Sequence, residues 1–197
     1  MDVLRSIVLR GNIRNSEEKS SPNPAASALE LIPNNNESEA KPVCFEIEFY
    51  EEDGEEHKFK IHYELQIDLG TFLEEEYQRK ILAEVLEVNG ERIFERKEDL
   101  KVENLKVIKD YLSDITEQNA GSINEIAKNS LNQEELFLTN GFKLIFSQKF
   151  TKLIVDWFAN KFMVIYRADS MQLIKRFADP KKKAVYVEKT TDEAAKL

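Results

Sequence analysis

Val43-Cys44-Phe45-Glu46-Ile47-Glu48-Phe49-Tyr50 is the stretch that decides the fold. Phe45, Ile47 and Phe49 alternate with Cys44, Glu46 and Glu48, the period of two expected of a half-buried strand. Glu51 to Glu56 follows as a polar turn centred on Asp53-Gly54. Phe59, Ile61, Tyr63, Leu65 and Ile67 then alternate with polar residues, so the two runs form an antiparallel hairpin. Ile81 to Val88 and Arg92 to Arg96 flank Asn89-Gly90. Asn-Gly readily adopts the positive φ angles of a type I′ turn, which predicts a second hairpin. The expectation is an α+β chain with a four-stranded antiparallel meander over residues 43–97.

Outward from the meander the period changes. Thr71 to Arg79 fits one or two helical turns, and Leu105, Ile108 and Leu112 suggest a helix. Ile123 to Leu131 and Gln133 to Ile145 suggest two more, with Asn140-Gly141 as a break in the latter. Phe150, Leu153, Ile154, Trp157 and Phe158 fall at helical spacing, with Lys149, Lys152, Asp156 and Asn160 on the other face. Phe162 to Tyr166 fits a short strand and Asp169 to Phe177 a last helix before Pro180. Upstream, Leu4 to Leu9 reads as a short strand, and residues 12–42 read as a loop rich in Asn, Ser, Glu and Pro. Four segments result: 1–42, a strand and flexible loop; 43–103, an antiparallel β subdomain; 104–179, a helical subdomain; 180–197, a polar tail.

Composition narrows the classes of function. The chain has 197 residues, 42% of them hydrophobic, and a formal net charge of −9. That charge argues against nucleic-acid binding over the surface and against docking on anionic membranes. Cys44 is the only cysteine, which excludes an intramolecular disulfide and a cysteine-cluster zinc site. His57 and His62, five apart on the second strand, point to opposite faces and cannot share a metal from that strand. The start, Met1-Asp2-Val3-Leu4-Arg5, has no signal-peptide pattern, and no apolar run has the length of a membrane span; a cytoplasmic protein is the expectation.

Chemistry is most nearly suggested by Ser6 to Ser20, where an apolar run leads into Gly11, an Asn-rich loop and then Lys19-Ser20. In a phosphate-binding loop, backbone amides converge on the anion, a lysine neutralises the β and γ phosphates, and a hydroxyl holds Mg²⁺. Lys19 and Ser20 are the right types for the last two tasks. The spacing from Gly11 to Lys19 is two residues too long, and Glu18 stands where the second glycine belongs. Pro22 and Pro24 interrupt the helix that should follow. The alternative is a surface loop with an unrelated Lys-Ser pair.

Three weaker patterns accompany it. Lys152-Leu153-Ile154-Val155-Asp156 has the outline of a Walker B strand, but Trp157 replaces the catalytic Glu and the spacing is helical. Leu138-Thr139-Asn140-Gly141-Phe142 faintly echoes an ABC signature loop, with a helix break as the alternative. The acidic runs Glu51 to Glu56 and Glu74 to Glu76 lack a metal-loop ligand pattern.

Leu4-Arg5-Ser6-Ile7-Val8-Leu9-Arg10-Gly11-Asn12 resembles the lead-in to the P-loop of bacterial AAA/ABC-type ATP-binding proteins. These are the SMC-like and OLD-like ATPases of phage-defence and abortive-infection loci. The resemblance continues at Glu39 to Phe49, Ile93 to Arg96, Leu136 to Leu138 and Asp156 to Phe158. It implies the N-terminal part of an ATP-binding head, with ATP and magnesium as cofactors. The cofactor-binding residues it carries over are Gly11, Asn15, Lys19 and Ser20; no catalytic or metal residue is carried over. The Walker B acids, signature loop and switch histidine of that family would lie beyond residue 197. The resulting expectation is a degenerate ATP-binding protein unable to hydrolyse ATP alone. The alternative is a non-catalytic interaction module derived from one, with a protein partner or a second copy of itself.

Overall fold

The computed structural model describes residues 2–14, 31, 41–53, 57–70, 79–113, 125, 127–129, 132–162, 174–179 and 184–189. The first hairpin forms as its alternation requires. Strands β1 (Val43–Glu52) and β2 (Lys58–Asp68) pair antiparallel with Ile47 opposite Tyr63. Phe59, Ile61, Tyr63, Leu65 and Ile67 are buried, while Lys58, Lys60 and Glu64 face solvent. Strands β3 (Lys80–Val88) and β4 (Glu91–Arg96) close on a turn in which Asn89 and Gly90 have φ 55° and 82°. Both angles are positive, as a type I′ turn requires, and the Asn89 side chain accepts from the Lys60 amide at 2.9 Å.

The meander has a fifth strand, β5 (Leu100–Val102), giving the order β1-β2-β3-β4-β5 instead of the four strands expected. The hydrogen bonds that turn the chain for it are local: Lys97 N donates to Asp99 O, and the Asp99 side chain accepts from Leu100 N.

One face of the sheet is covered by helices. The α-helix expected at Phe150–Phe158 is present as Gln148–Asn160 (α3 below), burying Phe150, Thr151, Ile154 and Phe158. Ser147 caps it, accepting from Phe150 N at 3.0 Å. The rings join helix to sheet: Phe49 stacks on Trp157 with centroids 3.8 Å apart, and Phe59 meets Phe150 edge-on at 5.3 Å. Leu105–Tyr111 is helical as expected, but as a 3₁₀ segment kinked at Ile108.

Three expectations are corrected. Leu4 to Leu9 is not a strand: Asp2–Arg10 is an α-helix, α1. Leu4, Ile7 and Val8 lie at i, i+3 and i+4 and are fully buried, so tertiary burial of one helical face outweighs the β preference of Ile7 and Val8. Gln133 to Phe137 is not helical. Its backbone groups are taken up by distant partners: Ile81 N donates to Gln133 O, Ile13 N to Glu134 O and Leu136 N to Gly11 O, with an isolated bridge between Asn12 and Glu135. Helix begins only at Leu138–Phe142, a π-helical turn that runs into the α-helical turn Lys143–Ile145, α2. The third correction concerns Asp169 to Phe177. Ile174–Asp179 is a strand, β6, and the supposed polar tail contains its partner β7, Ala184–Lys189. Val185, Tyr186 and Val187 have high strand propensity, and β6 pairs antiparallel with them, Phe177 opposite Tyr186. Met1–Phe162 is one compact unit, and Met163–Leu197 is a second.

The helices proposed at Thr71 to Arg79 and Ile123 to Leu131 lie largely outside the described residues; residues 125 and 127–129 are helical. The strand proposed at Phe162 to Tyr166 and most of the 12–42 loop lie outside them too.

Candidate functional site

Gly11 ends α1 in the left-handed region at φ 75°. Its amide donates to Ile7 O at 2.8 Å, and its carbonyl accepts from Leu136 N at 3.0 Å and Asn140 Nδ2 at 2.9 Å. Both backbone groups are therefore used within the protein. A phosphate cradle needs amides turned outward from a strand–loop junction, and here a helix stands where that strand was expected. Asn15, Lys19 and Ser20 lie outside the described residues.

A side chain at position 11 has no room. A Cβ there would lie 2.6 Å from Thr139 Oγ1, in a conformation that L residues avoid. Gly11→Ala is expected to cost about 1–2 kcal/mol, read as a lower urea midpoint at unchanged slope.

Around this contact lies a cleft of about 280 Å³. Val8, Leu9, Arg10 and Gly11 of the α1 end form one wall; Thr139, Asn140 and Lys143 form the second; Gln148, Thr151, Lys152 and Val155 of α3 form the third. The walls are tied together. Thr151 Oγ1 donates to Leu138 O at 3.3 Å, and Asn140 Nδ2 donates to both Gly11 O and Leu136 O. Among the described residues no acid lines the cleft, and Arg10, Lys143 and Lys152 bring cationic groups to it. Lys143 and Lys152 are exposed, and neither forms an ion pair with a described acid. Other lysines of this acidic chain are paired, for example Lys60 with Glu48 at 2.9 Å and Lys161 with Glu51 at 2.6 Å, while some, such as Lys106 and Lys109, form no ion pair with a described acid.

The chain entering the Leu138–Phe142 turn is held by a buried polar cluster. Glu84 on β3 is fully buried and accepts from Phe137 N at 2.6 Å, Leu138 N at 2.9 Å and Tyr63 Oη at 3.0 Å. It thereby caps the Leu138–Phe142 turn from the sheet side. Arg96 lies 4.0 Å from Glu84 and donates to Glu135 O at 2.7 Å and Asn132 O at 2.5 Å. Burial raises the Glu84 carboxyl above its ordinary range, against the opposing pull of the Leu138 and Phe137 amides and Arg96. Burial also pushes the Tyr63 hydroxyl well up. Each described polar group is turned toward a partner within the cluster, so the arrangement fixes the start of the turn that carries Thr139 and Asn140.

The other sequence candidates disperse. Lys152 to Asp156 is helical and holds no Walker B strand; Lys152 and Val155 line the cleft and Asp156 is exposed. The Leu138 to Phe142 echo is the π-helical turn, whose Thr139 and Asn140 also line the cleft. His57 is held by Asp53 at 3.0 Å, with Tyr111 Oη on the same carboxylate; His62 faces Glu64 at 2.9 Å. Of the acidic runs, Glu51 is buried against Lys161, while 54–56 and 74–76 lie outside the described residues.

Sequence reasoning read Lys152 as the polar side of a helix and as the start of a Walker B echo, and did not single out Arg10 or Lys143. Their signal was slight: cations at a helix end and beside a helix break, separated by more than 130 residues in the case of Arg10 and Lys143. No family model matches the chain, and no curated protein or solved structure matches it either. No helix among the described residues is long and apolar enough to cross a membrane.

Proposed function

We propose that the chain is a non-catalytic interaction module that takes an acidic segment of a partner protein in the cleft at the end of α1. The observation that carries this reading is the pair Lys143 and Lys152, without acid partners among the described residues, in a chain of net charge −9. Val8, Leu9 and Val155 add an apolar lining, so an acidic side chain next to an apolar one suits the cleft. Its 280 Å³ holds one or two side chains, which is below the usual size of a small-molecule site.

The ATP-binding reading has less support. Gly11 spends its backbone groups internally, and no residue pair in the cleft is disposed to polarise a water. Phosphates would nevertheless be drawn to the same cations, so the test must separate the two ligands.

A labelled peptide alternating Glu and Leu is expected to bind the full chain, as read by fluorescence anisotropy. Affinity should fall at least tenfold in the double variant Lys143→Glu/Lys152→Glu and should weaken with added salt. Unchanged binding in the double variant would remove the cleft from consideration.

A further inference from the structure

On the opposite, solvent-facing side of the sheet, the acids are neutralised in a regular way. Glu48 pairs with Lys60 at 2.9 Å, Glu52 with Lys58 at 3.1 Å and Glu87 with Arg92 at 3.0 Å, while Glu95 pairs with Lys97 at 2.6 Å and with Arg92 at 3.2 Å. Glu46 and Glu64 break the rule. They are directly opposite each other across β1 and β2, which places two like charges at a cross-strand position. Among the described residues neither forms an ion pair with a lysine or arginine, although Arg92 acts on Glu64 at longer range; both converge on His62, whose Nε2 lies 2.9 Å from Glu64 and 3.9 Å from Glu46.

We infer that Glu46, His62 and Glu64 form a site for a divalent transition-metal ion, zinc in the first instance. The donor set is one imidazole nitrogen and two carboxylate oxygens, a combination suited to zinc. The three ligand atoms all lie within 4.8 Å of one another. Ligands of a tetrahedral zinc at about 2.0–2.1 Å sit about 3.3 Å apart. The His62 separations of 2.9 Å and 3.9 Å bracket that value, so small side-chain rotations suffice. Two paired strands hold the three residues, with His62 and Glu64 two apart on one strand and Glu46 on its neighbour. The ion supplies the positive charge that lysines supply elsewhere on this face, and water completes its coordination on the exposed side. This site is on the far side of the sheet from the cleft and does not depend on the function proposed above.

Zinc titration of the full, tag-free chain against a chromogenic chelator tests the inference. One equivalent is expected to bind, with affinity at least tenfold weaker in His62→Gln and in Glu64→Gln, both of which keep a polar side chain on an exposed face. Cys44→Ser should bind as the wild type does. Three results would overturn the site: no zinc taken up at millimolar concentration, uptake unchanged in both variants, or uptake lost in Cys44→Ser. The last would move the ion to the exposed thiol.

Discussion

Glu84→Ala is expected to lower the unfolding free energy by about 3–5 kcal/mol, the usual cost of removing one member of a buried charged cluster. The loss has several parts. The amides of Phe137 and Leu138 and the hydroxyl of Tyr63 lose their acceptor, and each buried group left unpaired costs about 1–3 kcal/mol. Arg96 loses the carboxylate that balances it, although its bonds to Glu135 O and Asn132 O remain. Urea unfolding followed by circular dichroism reads the effect, and a loss below about 1 kcal/mol would mean that the cluster does not anchor the Leu138 turn.

Glu84→Gln adds a pH test. Its amide group must present an N–H₂ donor to at least one backbone donor, so it is less stable than the wild type. The folded-state pKa of Glu84 is raised above the ordinary value of 4.5. The folded protein therefore keeps this proton at pH values where the unfolded chain has released it. The stabilisation from this linkage is fully present below pH 4.5 and is lost as pH rises through the folded-state value. The stability gap between wild type and Glu84→Gln should widen as pH falls from 7 toward 4.5 and stay flat below. A gap that closes on acidification would contradict this.

Gly141→Ala is expected to cost about 2–3 kcal/mol. A Cβ at position 141 would lie 2.4 Å from Phe137 Cδ2 and 2.5 Å from Cε2. The Phe137 ring cannot retreat, because it is packed edge-on against Phe94 at 4.9 Å and against Phe142 and Phe146 at 6.1 Å and 6.3 Å. Alanine is otherwise the better helix former, so any stabilisation would show that the ring moves. A thermal melt distinguishes the outcomes by the sign of the Tm change.

The meander was legible because strand signals are local. Phe45, Ile47 and Phe49 declare their face two residues at a time, and Asn89-Gly90 fixes the turn. The misreadings share a cause in long-range partners. Ile7-Val8 looks like a strand until the burial of Leu4, Ile7 and Val8 against the rest of the core is known. Asp2 at the start, Arg10 at the end and Gly11 just beyond are helix start and stop signals that the sequence did contain. Gln133 to Phe137 has no such signal. Its non-helical path depends on Gly11, Ile13, Ile81 and Arg96, which are distant in sequence.

The cleft was only partly legible for the same reason. Gly11, Thr139-Asn140 and Lys152 each drew attention as fragments of a nucleotide site, and the fold does bring them to one place. What it brings with them is different in kind. A helix end replaces the strand, and Lys143 joins Lys152 where neither lysine has a described acid partner. Glu84, the residue that holds the Leu138 turn, was hidden among the alternating residues of β3 because a glutamate at a strand position normally faces water.

Amide chemical-shift mapping of the isotopically labelled full chain is the most direct test of the proposed binding role. Addition of the alternating Glu-Leu peptide should move the resonances of Thr139, Asn140, Lys143, Gln148, Thr151 and Lys152, with Mg-ATP leaving residues 11–20 unmoved at the same concentration. Peptide shifts confined to other surfaces, or Mg-ATP shifts centred on Lys19 and Ser20, would contradict the account.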